Sequence, residues 1–569
     1  MTISETARID LAAAPFHLDD EGIAWVEQTL SGLTVEQKAG QLFGLPMFVA
    51  DPVGLDPILA VTQPGTIMLR PMPGEVAEAI IARLRRECPV PPLIAANLDQ
   101  GPDGAISEAT SFSSPLGIGA TRNAEHARRL GEVDAVECGW HGVHWNFGPC
   151  VDIDFDDYNP MTNTRTFGSD PELVAELAVA EIEGMQSNGM LACAKHFPGE
   201  GVDDRDQHIN PTVNTLSLEE WHASYGLVYR RAIEAGVASI MVGHIALPAY
   251  SRAAGGQEPP LPGSLCPEIL QGLVRGELGF NGLLSTDATL MGGFSMVMPR
   301  AQAVPAAIAA GCDMFLFSLD FPVDYQYMLD GIREGVITPQ RLDDAVRRIL
   351  ALKAMVGLHR DIPVPGAPAD AEEIREKHRE WAREVAREAV TLVKDLDDTV
   401  PLDPATHRRI LIYPLDLPGR QSPASERLAE RLRSRGFEVT VFDYPPADDL
   451  EAAMNGGFGL TVTQTKAEYD LVMYVAAIPQ VSFGPTNRIT WGPFIGGNAP
   501  HGIPEIPMVF VSVENPYHLR DVPRMRTFVN AYTDSEMVAD VVVDALTGVQ
   551  PFRGQNPVDP FCGYEDTHW

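Results

Sequence analysis

The sequence is short of basic residues and lacks any cysteine motif, and both shortages exclude classes of protein. Lys and Arg number 42 against 78 Asp and Glu, which gives a formal net charge of −36. A field of this sign repels polyphosphates and anionic lipid surfaces, so we expect neither nucleic acid nor a membrane as partner. The chain has seven scattered cysteines without a C-x-x-C pair. This pattern fits neither a disulfide framework nor a zinc site, and we predict reduced cysteines and no metal.

Long apolar runs and a recognisable leader are also missing. No run of about 18 apolar residues occurs, and the start, MTISETARIDLAAAPFHLDDEG, has no cationic segment followed by an apolar one. We therefore expect a soluble protein that is not exported, with a cytoplasmic location. Oligomeric state is not indicated by any of these features.

Short apolar runs recur through the first 320 residues, each followed by a polar, helix-compatible segment. This alternation is typical of βα units. Eight runs qualify as strands: 42–47, 65–70, 92–97, 143–148, 191–196, 238–243, 282–286 and 312–317. Because eight units close a barrel, we predict an α/β fold that begins with an N-terminal (β/α)8 TIM-type barrel. A doubly wound open sheet is the competing arrangement.

A proline-containing segment separates these units from a second set. An amphipathic helix at 337–357 is followed by DIPVPGAPAD (361–370), which reads as a semi-rigid linker, and by another helix-like stretch up to 395. The βα rhythm then restarts. We predict a barrel domain at 1–360, a linker and connecting helix at 361–395, and a smaller α/β sandwich domain at 396–569.

Polar residues gather just after the predicted barrel strands, where TIM barrels build their active sites. They are Asp99 after the third strand, Asp152 and Asp154 after the fourth, Lys195 and His196 at the end of the fifth, His244 after the sixth and Asp287 at the end of the seventh. Any one of them alone is as well explained by a structural role. Their convergence on one rim favours a catalytic or binding site.

Glycoside cleavage needs a carboxylate and a second proton-carrying group on opposite sides of a sugar's anomeric carbon. Asp287 is the candidate nucleophile because it ends a buried strand between the small residues Thr286 and Ala288. The loop after the fifth strand carries Asp206 and His208, at a spacing that lets the carboxylate hold the imidazole in one tautomer. A histidine so held is able to protonate a leaving oxygen and to take a proton back.

Two other interpretations of these residues compete. The loop, with its four carboxylates, is a solvated acidic segment if His208 is incidental. A rim zinc site is weighed less, because close-spaced ligands on one strand are missing and Lys195 adjoins His196. Its conceivable ligands are His196, His208, His244, Asp99 and Asp287.

The stretch KHFPGEGVDDRDQH (195–208) resembles the KHFPGHG…D-S-H signature of glycoside hydrolase family 3, in its β-N-acetylglucosaminidase branch. Similar segments follow in order between about residues 25 and 395, among them NTRTFGSDP, IMVGHIALPA and GFNGLLSTDATLMGG. The resemblance implies that Asp287 is the nucleophile and that His208, oriented by Asp206, is the acid/base. It also implies that Asp99, Arg165, Lys195 and His196 hold sugar hydroxyls; we add His244 to this substrate-binding set from its place on the rim.

The chain departs from the family pattern at three places. Glu200 stands where the branch has the histidine of the P-G-H-G turn. DQGPDG (99–104) replaces the usual D-Q-E-G-G-R, which puts a bacterial cell-wall substrate in question. TDAT (286–289) lacks the second aspartate or tryptophan that hydrolysing relatives often have beside the nucleophile, so the choice between a 2-hydroxyl and a 2-acetamido sugar stays open.

The resemblance implies a covalent glycosyl-aspartate intermediate, which an acceptor must attack in a second step. The charge of the acid/base indicates which acceptor this is. A carboxylate there would repel phosphate by about 4 kcal/mol per charge pair at 4 Å and an effective dielectric of 20, whereas histidine removes this penalty. We therefore expect a retaining β-glycoside phosphorylase acting on a small carbohydrate, with inorganic phosphate as co-substrate, no other cofactor, and an α-sugar 1-phosphate as product. Arg205 and Arg488 are possible phosphate contacts. A hydrolase that uses water is the alternative, and a non-catalytic sugar-binding protein is a remote one.

Overall fold

The computed structural model describes residues 9–360, 362–444, 459–480, 482–492 and 497–569. The strands of the first domain, in chain order, are β1 Phe43–Pro46, β2 Thr66–Met68, β3 Leu93–Ala96, β4 Trp145–Asn146, β5 Cys193–Phe197, β6 Thr212–Val213, β7 Ser239–Val242, β8 Ile245–Ala246, β9 Leu283–Ala288 and β10 Met314–Leu316. Each of the eight predicted runs overlaps one of them: six runs contain the whole strand, whereas β5 and β9 extend one and two residues beyond the predicted ends. The additional short strands β6 and β8 pair with each other, outside the barrel sheet.

Within the described residues the first domain is an eight-stranded parallel sheet that curls into a barrel. The strand order is β4-β3-β2-β1-β10-β9-β7-β5. The two outer strands meet through parallel bridges between Trp145 and Leu191 and between Cys150 and Lys195. The predicted barrel is confirmed, and the alternative of an open, doubly wound sheet is wrong.

Helices surround the strands and bury one face each. Those of the first domain are Asp20–Gly32, Val35–Gln41, Asp56–Leu59, Gly74–Glu87, Pro115–Thr121, Ala124–Trp140, Pro171–Ser187, Leu218–Ala223, Tyr225–Glu234, Pro248–Ala253, a π-helix at Glu268–Glu277, Gly292–Ser295, Arg300–Ala310, Phe321–Arg333 and Pro339–Met355. The helix Pro171–Ser187 illustrates how the sequence sets them. Asp170 caps its first turn, a proline occupies its first position, and Leu173 and Leu177 are buried on one side. In the part of the chain that the structure describes, none of the helices combines the length and apolar character that a membrane crossing needs.

The barrel interior is filled by side chains, as expected of a TIM-type core. Trp145 and Phe147 lie edge to face, with ring centroids 4.8 Å apart, and both are buried. The indole Nε1 of Trp145 donates to Ser239 Oγ on β7, two strands away around the barrel, at 2.9 Å. This packing closes the floor beneath the carboxyl ends of the strands, where the predicted site residues lie.

The second domain is built on a six-stranded sheet, counted over the described residues. Its strands are β11 Thr391–Asp395, β12 Arg409–Asp416, β13 Glu438–Val441, β14 Leu471–Ala477, β15 Met508–Ser512 and β16 Thr527–Asn530, in the order β11-β16-β15-β14-β12-β13. Its helices are Ala424–Ser434, Val462–Glu468 and Glu536–Leu546, and the connecting helix is Ala371–Ala389. The sheet is parallel except for β11, which pairs antiparallel with β16.

The connection between the domains differs in detail from the sequence prediction. Residues 391–395, which we grouped with the connecting helix, form β11, because the helix ends at Ala389 and the following residues pair with β16. Asp361, the first residue of the predicted linker, lies outside the described residues. The domain limits at 360 and 395 therefore stay predictions.

The two domains contact each other through hydrogen bonds as well as apolar packing. Ser114 donates its hydroxyl to the Tyr532 carbonyl at 2.9 Å. The C-terminal GQNPV segment reaches back onto the barrel, where Gln555 N donates to the Ala120 carbonyl at 2.9 Å and Ser169 N to the Pro557 carbonyl at 3.0 Å. The second domain is thereby held beside the carboxyl rim of the barrel.

Candidate active site

Asp287 lies at the carboxyl end of β9, in the mouth of the barrel. Its side chain is buried, with 9% of the residue exposed, and Oδ1 accepts from Ala288 N at 2.7 Å. The other oxygen, Oδ2, is 3.8 Å from His196 Nε2. Burial alone would raise the pKa of Asp287, but its electrostatic interaction with the neighbouring histidines, His196 first, lowers it overall. The carboxylate is therefore ionised and held with one oxygen directed toward the site, as a nucleophile requires.

His196 is fixed by a residue that the sequence analysis noted but did not assign a role. Asp152, in the loop after β4, accepts from His196 Nδ1 at 2.7 Å and from the His196 main-chain N at 3.0 Å. It also accepts from Glu200 N at 2.9 Å. Burial opposes the charge on Asp152, yet His196 and these hydrogen bonds lower its pKa. The Asp152–His196 pair thus turns the imidazole Nε2 toward Asp287.

The loop after β5 brings His208 to the same mouth. Asp206 Oδ1 accepts from His208 Nδ1 and from His208 N, both at 2.8 Å, so the two residues are paired in a turn of this loop. The His208 carbonyl accepts from Gly292 N at 2.8 Å, immediately beyond β9. Since Nδ1 is bonded to Asp206, the ring presents Nε2 outward, and 20% of the side chain is exposed. The arrangement suits a proton donor and acceptor at a leaving oxygen.

A buried group of charges lies beside Asp287. Lys195 Nζ donates to Asp99 Oδ1 at 3.0 Å and to Asn97 Oδ1 at 3.2 Å, and Arg165 Nε donates to Asp99 Oδ2 at 3.3 Å. Burial would raise the pKa of Asp99, but Lys195 and Arg165 depress it far below the usual range. The structure brings these predicted sugar contacts together at the ends of β3 and β5. Their binding of hydroxyl groups stays a prediction.

His244 lies below the site rather than in its wall. The Ser264 hydroxyl bonds to its Nδ1 at 2.8 Å, and its Nε2 donates to the Ala288 carbonyl at 3.1 Å. Burial lowers the pKa of His244 to about 4, so the ring is neutral near pH 7. Both ring nitrogens are thus taken by the protein. The geometry supports a role in holding the end of β9, and our prediction that His244 contacts substrate finds no support in these contacts.

Glu200, which replaces the usual histidine of the turn, is buried next to Asp152. Its Oε1 accepts from Asn159 Nδ2 at 2.9 Å. Among the described residues Oε2 finds no hydrogen-bond partner. Burial, with the nearby Asp152 charge, raises the pKa of Glu200 to about 8. The side chain is therefore mostly protonated at neutral pH and adds little negative charge to the site.

The second domain reaches the Asp206–His208 pair. Phe483 N donates to Asp206 Oδ2 at 2.6 Å, and the Phe483 ring lies 4.9 Å from the His208 ring between centroids. Sequence reasoning missed this residue, because the contact joins positions 277 apart in the chain. Asp152 was visible as a polar residue after a strand, but its pairing with His196 was not.

The two arginines weighed as phosphate contacts are both paired with carboxylates. Arg205 Nε donates to Asp203 Oδ1 at 2.8 Å, and Arg488 Nε donates to Asp521 Oδ1 at 2.6 Å. Arg488 also lies 5.8 Å from the centre of the Tyr158 ring. These contacts give each arginine a structural role, and phosphate binding by either stays a prediction.

The residues weighed for a zinc site do not form one cluster. Over the described ranges, the side chains close enough to share an ion are instead Cys150, Asp152 and His196, with ligand atoms within 4.8 Å of one another. Asp152 Oδ2 already accepts from His196 Nδ1 and from Cys150 Sγ, the latter at 3.2 Å. The group is thus explained by hydrogen bonds. That no metal takes part stays a prediction.

Similarity to known proteins shows which family has this arrangement. A family model described as the glycosyl hydrolase family 3 N terminal domain matches residues 56–352. A curated protein of Cellulomonas fimi named beta-N-acetylglucosaminidase/beta-glucosidase is 45% identical, over 98% of this chain and 100% of its own length.

Solved structures resemble the whole chain. One described as beta-glucoside phosphorylase BglX has a TM-score of 0.90 and 36% identity, covering 98% of this chain and 99% of that one. A family 3 beta-N-acetylglucosaminidase from Paenibacillus sp. str. FPU-7 has a TM-score of 0.78 at 22% identity, over 94% of this chain and all of that one, and supports the fold alone.

Proposed function

This chain belongs to glycosyl hydrolase family 3, and we propose that it is a retaining enzyme that transfers the sugar of β-glucosides and β-N-acetylglucosaminides to phosphate. The observation that carries the proposal is the acid/base: an imidazole, His208, bonded to Asp206 at 2.8 Å, instead of a carboxylate. The similarity to a protein described as a β-glucoside phosphorylase adds support.

In the first step Asp287 Oδ2 attacks the anomeric carbon while the bond to the leaving oxygen breaks. His208 Nε2 gives its proton to that oxygen, and Asp206 stabilises the imidazolium from which the proton comes. The attack inverts the anomeric carbon, so a β-glycoside gives an α-glycosyl ester of Asp287. His196, held by Asp152, bonds to the sugar or to the carboxylate on the same side.

In the second step an acceptor oxygen bonds to the anomeric carbon and the ester bond to Asp287 breaks. Any proton on the attacking oxygen passes to His208 Nε2. Two inversions restore the original configuration, so the product of phosphorolysis is a β-sugar 1-phosphate. The α-sugar 1-phosphate that we expected from the sequence is therefore wrong on stereochemical grounds.

The charge of the proposed acid/base supports phosphate as the acceptor. Once His208 has given up its proton it is neutral, whereas a carboxylate in its place would oppose each phosphate charge by about 4 kcal/mol at 4 Å and an effective dielectric of 20. The protonated Glu200 acts in the same direction, since its pKa of about 8 removes a further negative charge from beneath the site.

Hydrolysis is the second candidate, favoured by the 45% identical relative named as a β-N-acetylglucosaminidase/β-glucosidase. Water needs no neutral acid/base, and the geometry at Asp287 serves it equally well. The two activities differ only in the acceptor of the second step.

The test is turnover of p-nitrophenyl β-glucoside and p-nitrophenyl β-N-acetylglucosaminide with phosphate and with sulfate at equal ionic strength. We expect phosphate, but not sulfate, to raise kcat, and ¹H and ³¹P NMR to identify a β-sugar 1-phosphate. Free sugar released at the same rate in both buffers would overturn phosphorolysis and leave hydrolysis. Asp287→Ala should abolish turnover; unchanged turnover would instead overturn the assignment of the site.

A further inference from the structure

Phe483 is an exposed aromatic residue of the second domain that lies directly on the acid/base pair. Its main-chain N donates to Asp206 Oδ2, its ring is 4.9 Å from the His208 ring at an angle of 61°, and 68% of the residue is exposed. We propose that Phe483 recognises the leaving group: its ring forms one wall of the leaving-group subsite, while its N–H positions Asp206. The inference rests on the proposed function of His208 as proton donor.

The position of the leaving group follows from the hydrogen bonds of His208. Nδ1 is bonded to Asp206, so the oxygen that receives the proton lies at Nε2, on the open side of the ring. A group attached to that oxygen extends outward from the barrel, past the side chain that borders the imidazole. Phe483 is that side chain, and its exposed face is available to an apolar surface of the substrate.

The backbone conformation of Phe483 indicates that its contact with Asp206 and His208 is held in place by the surrounding structure. Its φ of +76° lies in the left-handed region, which residues with a side chain adopt at a cost. Such conformations persist where surrounding contacts hold them, and they concentrate at functional sites. Here the conformation aims the N–H at Asp206 and keeps a large apolar side chain at the surface.

Neighbouring residues fix the segment 482–489, which we call the strap, to both domains. Thr486 donates its hydroxyl to the Tyr158 carbonyl in the barrel loop after β4. Asn487 Nδ2 donates to the Pro479 carbonyl at 2.7 Å, and Arg488 pairs with Asp521 in the second domain. The ring of Phe483 is thus carried by a segment anchored near the mouth of the barrel.

The chemistry of this wall selects the class of leaving group. An aromatic face binds planar aryl groups and the C–H face of sugar rings, and it offers no hydrogen bond to a small polar alcohol. We therefore expect preference for β-glycosides whose leaving group has an apolar face, such as aryl glucosides. A leaving group as small as fluoride has nothing to place against the ring.

The experiment measures kcat/KM for phenyl β-glucoside and for β-glucosyl fluoride with the wild type, Phe483→Gly and Phe483→Tyr. Glycine keeps the main-chain N–H and accepts the positive φ, so it removes the ring alone. We expect Phe483→Gly to lose about tenfold on the phenyl substrate and less than about twofold on the fluoride, a contrast set by the loss of one aromatic contact with its buried area. Phe483→Tyr should retain the wild-type ratio.

Equal losses on both substrates, or no loss on either, would overturn the role of the ring in the leaving-group subsite. Because kcat/KM reports steps up to departure of the leaving group, the result does not depend on whether phosphate or water follows. A wild-type enzyme that cleaves neither substrate would refute the proposed function itself. A wild-type enzyme that cleaves both, with a Phe483→Gly variant that keeps the same ratio, would refute only this inference.

Discussion

Asp206→Asn tests the acid/base assignment most directly, because it changes the charge of the pair without changing its size. Among the described residues, the hydrogen-bond partners of the Asp206 carboxylate are donors: His208 N and Nδ1 on Oδ1, and Phe483 N on Oδ2. An asparagine has only one acceptor oxygen, so its NH2 group must face one of these donors. If the NH2 group faces His208 Nδ1, that nitrogen must be unprotonated, and the imidazolium is excluded. If the NH2 group faces Phe483 N, two donors oppose each other and the contact with the strap is weakened.

The size of the effect is set by the lost charge. A unit charge pair at 4 Å and an effective dielectric of 20 amounts to about 4 kcal/mol, and a hydrogen bond to a charged group contributes about 1.5–3 kcal/mol. The two figures describe the same interaction and are not additive. We therefore expect Asp206→Asn to lose about 3–4 kcal/mol of transition-state stabilisation. This corresponds to a fall of between about 100-fold and 1,000-fold in rate.

The loss should depend on how much the leaving group needs a proton. We expect the full fall in kcat/KM for phenyl β-glucoside and a much smaller one for 2,4-dinitrophenyl β-glucoside, whose leaving group departs as an anion. Asp203→Asn is the matched control on the same loop: Asp203 pairs with Arg205 instead of His208. It should affect both substrates slightly and equally. An equal fall for both substrates in Asp206→Asn would refute the reasoning.

Three further substitutions test the supporting residues. Asp152→Asn should lower kcat/KM by about tenfold to 100-fold for activated and unactivated substrates alike, since it frees His196 rather than the acid/base; a selective loss on phenyl β-glucoside would contradict this. Thr486→Val removes the hydroxyl that anchors the strap on Tyr158 and should reduce kcat/KM for phenyl β-glucoside more than for glucosyl fluoride; unchanged ratios would count against the strap. Glu200 keeps its proton in the folded state up to a pKa of about 8 against an ordinary value of 4.5, so the stability it contributes is fully present below pH 4.5 and is lost as the pH rises to 8. At 1.36 kcal/mol per pKa unit, this effect lowers the free energy of unfolding of the wild type by about 3 kcal/mol between pH 5 and pH 7, and Glu200→Gln should lack this decrease. The thermal unfolding midpoint of the variant should therefore fall less over this pH range than that of the wild type. The same fall in both proteins would contradict the protonated state of Glu200.

The barrel strands were predictable because each is a short apolar run between turn signals, and all eight overlap the predicted runs, with only β5 and β9 extending beyond them. The strands β6 and β8 were not predictable, because strands of two residues leave no periodic signal. The strand β11 was hidden for another reason. Leu392 continues the apolar face of the helix that ends at Ala389, so the local pattern does not mark the change from helix to strand.

The site was predictable as far as the strand ends define it. Asp287, His196 and the Asp206–His208 pair come together as the order of the barrel strands requires. Two properties were beyond sequence reasoning. The protonation of Glu200 depends on burial beside Asp152, and burial is a property of the assembled core. The contact of Phe483 with Asp206 depends on how one domain lies against the other.

Asp287 and His208, the proposed nucleophile and acid/base, are held by different parts of the molecule, and this division determines how each responds to change. Asp287 is part of a barrel strand and its neighbour His196 is fixed by Asp152 from an adjacent βα unit, so among the described residues this side of the site is held by the barrel. His208 lies on a barrel loop, and its partner Asp206 also accepts a hydrogen bond from Phe483 N in the strap of the second domain. Substitutions in the strap should therefore alter proton transfer and leaving-group preference while sugar recognition is preserved, because the contacts that would hold the sugar are made by barrel residues.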